Sequence, residues 1–487
     1  MADENDAIIE NSSSEMDIVR KLHVYPELQH PEKTLSLSNL DRQCPLLMYL
    51  VFFYKSDKTR NVSSESVFSN LRLGLEQTLS VWYPAAGRLC LDPKDMKLNL
   101  WCNNGGAVMV EAATRVEMSE LGDLFQYNEF SETLVYKPPF NGDFPEVPLV
   151  VAQVTRFACG GYSIGIGTSH SVFDGLSAYE FLHAWASNSY IHNITNNGNS
   201  NNDNNNNNNN EDDQAMMIEP VHERGNLLTT TNPKPGTRAA AIDHLYQLIK
   251  QMMTEQMAMV NGGQNGHFED PSSGFLIKTF EVSGEAVERM KKRAMGGDGK
   301  LPKGFSCSSF ELLAAHLWKV RTRALGLRSD AMVCLQFAVD IRKRAEPPLP
   351  EYFSGNAYVL ASVASTAGEL LNLTIESIVH KTREAKNSVD QDYINAYVEA
   401  LGQGRNDANL PPIKELTIVS DWTKMPFHKV GFIAGEPADY VSPLCPPVPQ
   451  VAYFMQSPKD PKGLHVRIGL NPQNVDDFSN HFLNYNH

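Results

Sequence analysis

The sequence contains no apolar run long enough to cross a bilayer. The longest notable run, Leu46 to Phe53 (LLMYLVFF), covers eight residues, whereas a membrane-spanning helix needs about 20. The opening residues, MADENDAIIENSSSEMDIVRKL, are acidic and polar and lack the apolar stretch of a secretory signal. We therefore expect no membrane span and a cytosolic location.

Cysteine and positive charge are both scarce. The seven cysteines are odd in number and include no CxxC pair, which argues against a disulfide framework and against a zinc site. Lys and Arg number 42 against 57 Asp and Glu, so the formal net charge is -15. An acidic surface repels phosphate backbones, and nucleic acid is not an expected partner. The 42% of hydrophobic residues and 20% of charged residues are typical of a globular protein.

An asparagine tract interrupts the middle of the chain. Twelve of the fifteen residues from Asn196 to Asn210 are Asn, and such a tract cannot bury enough apolar surface to offset its ordering entropy. We predict an Asn-rich linker over 193–240, disordered from about residue 193 to 215, preceded by an N-terminal domain (1–192) and followed by a C-terminal domain (241–487).

Strand and helix signals alternate on both sides of this linker. Apolar residues spaced by three and four from Ser64 to Leu79 predict a helix, and Leu47 to Tyr54 reads as a buried strand. Further segments predict a hairpin (149–157 with 162–168), a capped helix (308–324), a largely helical stretch (366–399) and strands at 332–339, 451–456 and 463–470. The pattern indicates a mixed α/β protein.

The segment most suggestive of chemistry is TSHSVFDG, residues 168–175. A strand leads into His170 and a helix leads out, and an imidazole at a strand end is well suited to act as a general base. Asp174 either orients the imidazole or pairs with a cation elsewhere and fixes the loop, while Gly175 permits a sharp turn. Taken alone the spacing is weak, because a lone histidine is more often structural.

Six further segments, together with this one, resemble the plant BAHD acyltransferases, a family with an HxxxD motif. In chain order they are LSLSNLD (35–41), VWYPAAGRL (81–89), QVTRFACGG (153–161), FLHAWA (181–186), AAHLW (314–318), and DIRKR with PPLP and FSGN (340–356). Each is modest by itself. Their shared order across nearly the whole chain makes the resemblance specific.

The resemblance implies two chloramphenicol-acetyltransferase-like domains with mixed sheets and a channel between them. It implies transfer of an aromatic (hydroxycinnamoyl) or aliphatic acyl group from acyl-CoA to a hydroxyl or amine of a plant specialised metabolite. His170 would be the general base, and Asp174 and Gly175 would support the site. Acyl-CoA would be the co-substrate, with no metal and no permanently bound cofactor. We also expect a monomer.

Two other groups of residues follow from the same resemblance. The family places hydroxyl groups near CoA ahead of the AAHxW helix, which makes Ser306, Ser308 and Ser309 candidate CoA contacts. Helix capping alone would explain one of these serines. In the family, the arginine of DxR, here Arg342, is held by the aspartate of a second signature, DFGWG.

That second signature is altered, because the corresponding residues read Gly431-Phe-Ile-Ala-Gly435. A partly buried Arg342 then needs another acceptor, and we predict Asp340, Glu436 or a set of carbonyls. We also expect Gly431→Asp to be tolerated. The altered signature leaves two alternatives to the enzyme open: a non-catalytic accessory protein, for example in fatty-acid elongation, and a relative with lyase or cyclase chemistry.

Overall fold

The computed structural model describes residues 16–56, 64–197, 219–228, 275–294, 307–403, 415–444 and 450–484. A helix continues to Asn197, so the prediction of disorder is wrong for residues 193–197. Most of the remaining linker, including the asparagine tract from residue 198 onward, lies outside the described residues, as does Ser306. The described residues form two compact units. Unit 1 takes those of Met1–Leu37, Pro45–Glu223 and Phe427–Leu444, and unit 2 takes those of Ser38–Cys44, Arg224–Pro426 and Cys445–His487. The domain boundaries at 192 and 241 stay a prediction.

Unit 1 combines a large sheet, a small sheet and two long helices. Its elements are β1 (Met16–Val24), β2 (Lys33–Leu35), β3 (Leu47–Tyr54), α1 (Ser64–Val81), β4 (Arg88–Leu91), β5 (Leu98–Cys102), β6 (Ala107–Thr114), β7 (Val150–Arg156), β8 (Tyr162–Ser169), α2 (Gly175–Asn197) and β13 (Tyr440–Pro443). The large sheet has the order β1-β6-β7-β8-β3-β13, and the small sheet β2-β5-β4. The two helices contact each other, since Trp185 donates a hydrogen bond to the Leu71 carbonyl at 2.8 Å.

The strands beside His170 were predicted from the sequence. The strand at Leu47–Tyr54 is confirmed to the residue, and the predicted hairpin is confirmed by the antiparallel pairing of β7 and β8. Strand β8 also pairs with β3, so both of its edges are hydrogen-bonded and seven of its eight residues are buried. A strand in this position is rigid, and it fixes the chain that emerges from it at His170.

Unit 2 is a second mixed sheet with helices. Its elements are β9 (Leu276–Val282), α3 (Gly284–Ala294), α4 (Ser309–Ala324), β10 (Met332–Asp340), β11 (Tyr358–Thr366), α5 (Ala367–Asn372), α6 (Ile375–Asn387), α7 (Gln391–Gln403), β12 (Leu416–Asp421), β14 (Val451–Gln456), β15 (Leu464–Leu470) and α8 (Val475–Leu483). The sheet order is β11-β10-β12-β14-β15-β9, with β10, β12 and β14 parallel. The mixed α/β prediction is confirmed.

The helical predictions in unit 2 hold with one refinement. Helix α4 begins as predicted behind Ser308, whose side chain accepts a hydrogen bond from the Glu311 amide in a reciprocal capping box. The predicted helical stretch at 366–399 is three helices. Thr366 and Thr374 cap the first two, because a threonine hydroxyl that accepts a backbone N–H starts a new helix.

Candidate active site

His170 lies in a tight turn that follows β8 directly. Its amide donates to the Leu46 carbonyl at 2.8 Å, which ties the turn to the start of β3. The Ser169 carbonyl accepts the amides of Val172 and Phe173 at 3.0 and 3.1 Å. His170 is partly exposed, whereas the residues on either side of it are buried. The turn therefore presents one titratable side chain on a fixed backbone.

Asp174 starts the helix that follows this turn. Its Oδ1 atom accepts hydrogen bonds from the Ser177 amide and the Ser177 hydroxyl, both at 3.0 Å. Gly175 is the first residue of α2, so Asp174 occupies the N-cap position, where an aspartate satisfies free amides and interacts favourably with the helix dipole. Asp174 is only 5% exposed. These contacts give it a structural position at the site.

The residues that replace the family's second signature form a tight turn in unit 1. The Glu436 amide donates to the Ile433 carbonyl at 3.0 Å, and the two residues between them, Ala434 and Gly435, have φ values of 54° and 73°. Positive φ at both central positions defines a type I′ turn. The sequence analysis did not predict this turn.

Tyr54 and Phe432 fasten this turn to the sheet. The Tyr54 hydroxyl donates to the Val430 carbonyl and accepts from the Phe432 amide, each at 3.1 Å. The Phe432 ring lies edge-on to Phe52 and to Trp185, with centroids 5.1 Å apart in both cases. The one aromatic residue retained from the signature thus contacts β3 and α2 of the same unit.

The expectation that Gly431→Asp is tolerated is wrong. A Cβ atom at residue 431 would lie 2.3 Å from the Gly435 carbonyl oxygen and 3.0 Å from the Glu436 amide nitrogen. Both contacts are with backbone, which cannot rotate away as a side chain can. Glycine is required here because the turn closes directly onto it.

Arg342 makes the contacts predicted for it. Its guanidinium pairs with the Asp340 carboxylate at 2.9 Å and donates to the carbonyls of Phe353 and Gly355 at 3.3 and 3.1 Å. Its own amide donates to Asp340 at 2.8 Å. We predicted that a carboxylate or a set of carbonyls would accept hydrogen bonds from Arg342, and this is confirmed. Asp340 is one of the two carboxylates considered, and it is in contact with Arg342.

The predicted site residues fall in both units. His170, Asp174 and Gly175 lie together in unit 1, whereas Arg342, Ser308 and Ser309 lie in unit 2. Ser308 is the N-cap of α4 and Ser309 is its first residue. Capping uses one lone pair of the Ser308 oxygen and not its hydroxyl hydrogen, which donates to none of the described residues. CoA contact by these serines stays a prediction.

The sequence analysis missed a buried polar cluster in unit 2. Asp41, from the LSLSNLD segment, is 0% exposed and accepts hydrogen bonds from the Ser38 hydroxyl at 2.7 Å and the Asn356 amide at 2.9 Å. Arg224, which is 1% exposed by its side chain, approaches the same carboxylate at 3.4 Å. Asp41 and Asn356 both belong to segments that resemble the family, so these two residues could have been chosen from the sequence. No sequence pattern indicates that Arg224 contacts them.

Comparison with known proteins identifies the family. A family model described as the Transferase family matches residues 14–484. The chain belongs to the plant BAHD acyltransferases. It is 66% identical to brassinosteroid-related acyltransferase 1 of Arabidopsis thaliana, with 97% of this chain and 98% of that protein covered. It is 28% identical to omega-hydroxypalmitate O-feruloyl transferase of the same plant, with 99% and 96% covered.

Solved structures of other proteins share the fold. Vinorine synthase matches with a TM-score of 0.67 at 18% identity, over 95% of this BAHD chain and 96% of that one. Fusarium graminearum TRI101 complexed with coenzyme A and T-2 mycotoxin matches with a TM-score of 0.66 at 14% identity, over 91% and 96%. The family identifies the chain as an acyltransferase, and its named full-length relatives favour an enzyme over an accessory protein. Within the described helices, none has the length and apolarity that crossing a bilayer would require.

Proposed function

We propose that this BAHD protein transfers an acyl group from acyl-CoA to a hydroxyl group of a steroid-like acceptor, with His170 as the general base. The observation that carries the proposal is the turn after β8, which holds His170 partly exposed between buried neighbours. The acceptor class is suggested by the 66% identical relative, whose name refers to brassinosteroids.

The proposed reaction needs one proton carrier. A ring nitrogen of His170 takes the proton as the acceptor oxygen attacks the thioester carbonyl, and the tetrahedral intermediate then collapses with loss of the CoA thiolate. The imidazolium returns the proton to that thiolate, so the base is regenerated. The ester and free CoA are the products. Asp174, turned toward Ser177, sets the start of α2 and thereby the position of the turn.

The donor half of the proposal has two supports. Structural neighbours of this fold were solved with coenzyme A bound, and the start of α4 offers the Ser308 hydroxyl hydrogen and the partly exposed Ser309 to a ligand. We propose that one of these serines contacts CoA.

A product screen tests the proposed function. Purified protein is incubated with acetyl-, lauroyl- or p-coumaroyl-CoA and with 24-epibrassinolide or 16-hydroxypalmitate, and esters are detected by mass spectrometry. We expect ester formation by the wild-type protein and by His380→Ala, which alters an exposed histidine of α6 in unit 2. His170→Ala should lose roughly 10²- to 10⁴-fold in rate. Ester formation by His170→Ala at the wild-type rate would contradict the assignment.

Location and assembly complete the proposal. We propose a cytosolic monomer, since the acyl transfer described above needs only acyl-CoA, an acceptor and a single copy of His170. Fractionation of a tagged protein and light scattering of the purified one test these two points. Recovery of the protein inside a membrane-bounded compartment would contradict the cytosolic location, and a stable dimer would contradict the monomeric state.

A further inference from the structure

Tyr49 lies beside the end of β8, the strand that leads into His170. It lies on β3 directly opposite Gly167 of β8, and both residues belong to unit 1. His170 is the third residue after Gly167, a step that corresponds to about 10 Å along a strand. The two strands are tied together at this end, since the Leu46 carbonyl accepts the His170 amide.

The absence of a side chain at Gly167 leaves space for the Tyr49 ring. A Cβ atom at residue 167 would lie 2.6 Å from Cε1 of Tyr49 and 2.7 Å from Cγ2 of Val151. The ring therefore lies over the bare backbone of Gly167. Packing on one side by a glycine and on the other by side chains gives the ring a fixed position rather than a choice of rotamers.

The surroundings of this ring are apolar. Tyr49 packs, with Leu47 and Tyr136, against a cluster of three buried valines: Val108, Val110 and Val151. Leu47, Tyr49 and Tyr136 are themselves partly exposed, so this face of the sheet is not closed. Its exposed part offers hydrocarbon contacts to a small molecule lying along β3 and the end of β8.

The polar groups of this face include the Tyr136 hydroxyl, which accepts a hydrogen bond from Lys21 at 2.6 Å, and the Tyr49 hydroxyl. Within the described part of the chain the Tyr49 hydroxyl makes no hydrogen bond. Burial of the ring raises the pKa of the Tyr49 phenol, and the nearby Glu132 raises it further. The phenol therefore stays protonated at neutral pH and can donate a hydrogen bond.

We propose that Tyr49 is a specificity-determining residue that forms a hydrogen bond with a second polar group of the acceptor. The apolar face contacts the hydrocarbon skeleton, and the phenol donates to an oxygen remote from the hydroxyl that reacts at His170. A rigid polycyclic molecule with oxygen functions at both ends fits this spacing better than a simple alcohol does. This inference rests on the proposed function, because it names what the acceptor must carry.

Acceptor kinetics of Tyr49→Phe test the proposal. Loss of one neutral hydrogen bond should raise the KM for 24-epibrassinolide roughly 3- to 10-fold and leave the KM for acyl-CoA unchanged. The KM for a monohydroxylated sterol should not change, since it lacks the remote oxygen. Gly167→Ala, which would push the ring from its place, should raise the KM for 24-epibrassinolide as Tyr49→Phe does.

Tyr162→Phe is the matched control. Tyr162 is a partly exposed tyrosine at the opposite end of β8, and its variant should keep wild-type KM values. An unchanged KM for 24-epibrassinolide in Tyr49→Phe, or an equal rise for the monohydroxylated sterol, would overturn the proposal while leaving the role of His170 intact.

A binding measurement separates this inference from catalysis. Calorimetry compares 24-epibrassinolide binding to His170→Ala and to His170→Ala/Tyr49→Phe, neither of which needs to turn over. A roughly 3- to 10-fold weaker Kd in the double variant supports the proposal. Equal Kd values, or no binding to either protein, would overturn it.

Discussion

Adding one methyl group at Gly431 should destabilise the turn that stands in place of the family's second signature. In Gly431→Ala the new Cβ would lie 2.3 Å from the Gly435 carbonyl oxygen and 2.4 Å from its carbon. Since both atoms are backbone, the turn must open to relieve the contact. Forcing an extra methyl group into a packed site costs about 1–3 kcal/mol.

The assay is thermal unfolding of wild-type protein and variant. For a domain of 150–250 residues each kcal/mol shifts Tm by roughly 2–4 °C, so Gly431→Ala should lower the Tm of unit 1 by about 2–12 °C. The predicted loss should appear in the unfolding transition of unit 1, which contains both Gly431 and Gly435.

Ala434→Gly provides a control of opposite sign within the same turn. Ala434 has a φ of 54°, a conformation that costs an L-residue about 1–2 kcal/mol. Glycine removes this strain but costs about 0.4–1 kcal/mol through the larger entropy of the unfolded chain, so the net change is about 0–1.6 kcal/mol of stabilisation. A Gly431→Ala protein as stable as wild type, or a strongly destabilised Ala434→Gly protein, would refute the reasoning.

Three further substitutions test the contacts around the site. Asp174→Ala should lower stability by about 0.5–2 kcal/mol through loss of the α2 cap and should reduce acyl transfer, whereas Asp174→Asn, which keeps an acceptor oxygen, should keep most of both; equal effects would contradict the capping role. Arg342→Lys should cost about 1–2 kcal/mol in urea unfolding, because an ammonium cannot reach Asp340 and two carbonyls in the same way, and an unchanged midpoint would count against it. Ser308→Ala should cost about 1 kcal/mol by loss of the capping box, and a raised KM for acyl-CoA would identify Ser308 as a CoA contact, while an unchanged KM would exclude that role.

Local patterns in the sequence predicted the elements that position His170. The strand at Leu47–Tyr54 is a continuous apolar run, and the hairpin before His170 consists of two segments rich in apolar residues on either side of a Cys-Gly-Gly turn. Both patterns are visible without tertiary information. Ser308 was recognisable as a cap because a serine three residues before a glutamate has a local reason to start a helix.

Contacts between distant segments were not predictable in this way. Strand β13 is short and pairs with β3, nearly 400 residues earlier in the chain, so no local pattern assigns it to that sheet. The requirement for glycine at 431 arises from a close approach to Gly435, which depends on the turn being formed. Tyr49 likewise has no motif of its own, and its position beside Gly167 follows only from strand register.

Chemical rescue of His170→Ala tests the central claim most directly. Steady-state acyl transfer is measured for the variant with and without added imidazole, using the donor and acceptor pair that gives the fastest wild-type reaction. If His170 is the general base, the variant should be slower by roughly 10²- to 10⁴-fold, and free imidazole should restore part of the lost rate in proportion to its concentration. A His170→Ala protein that transfers acyl groups at the wild-type rate without imidazole would contradict the account.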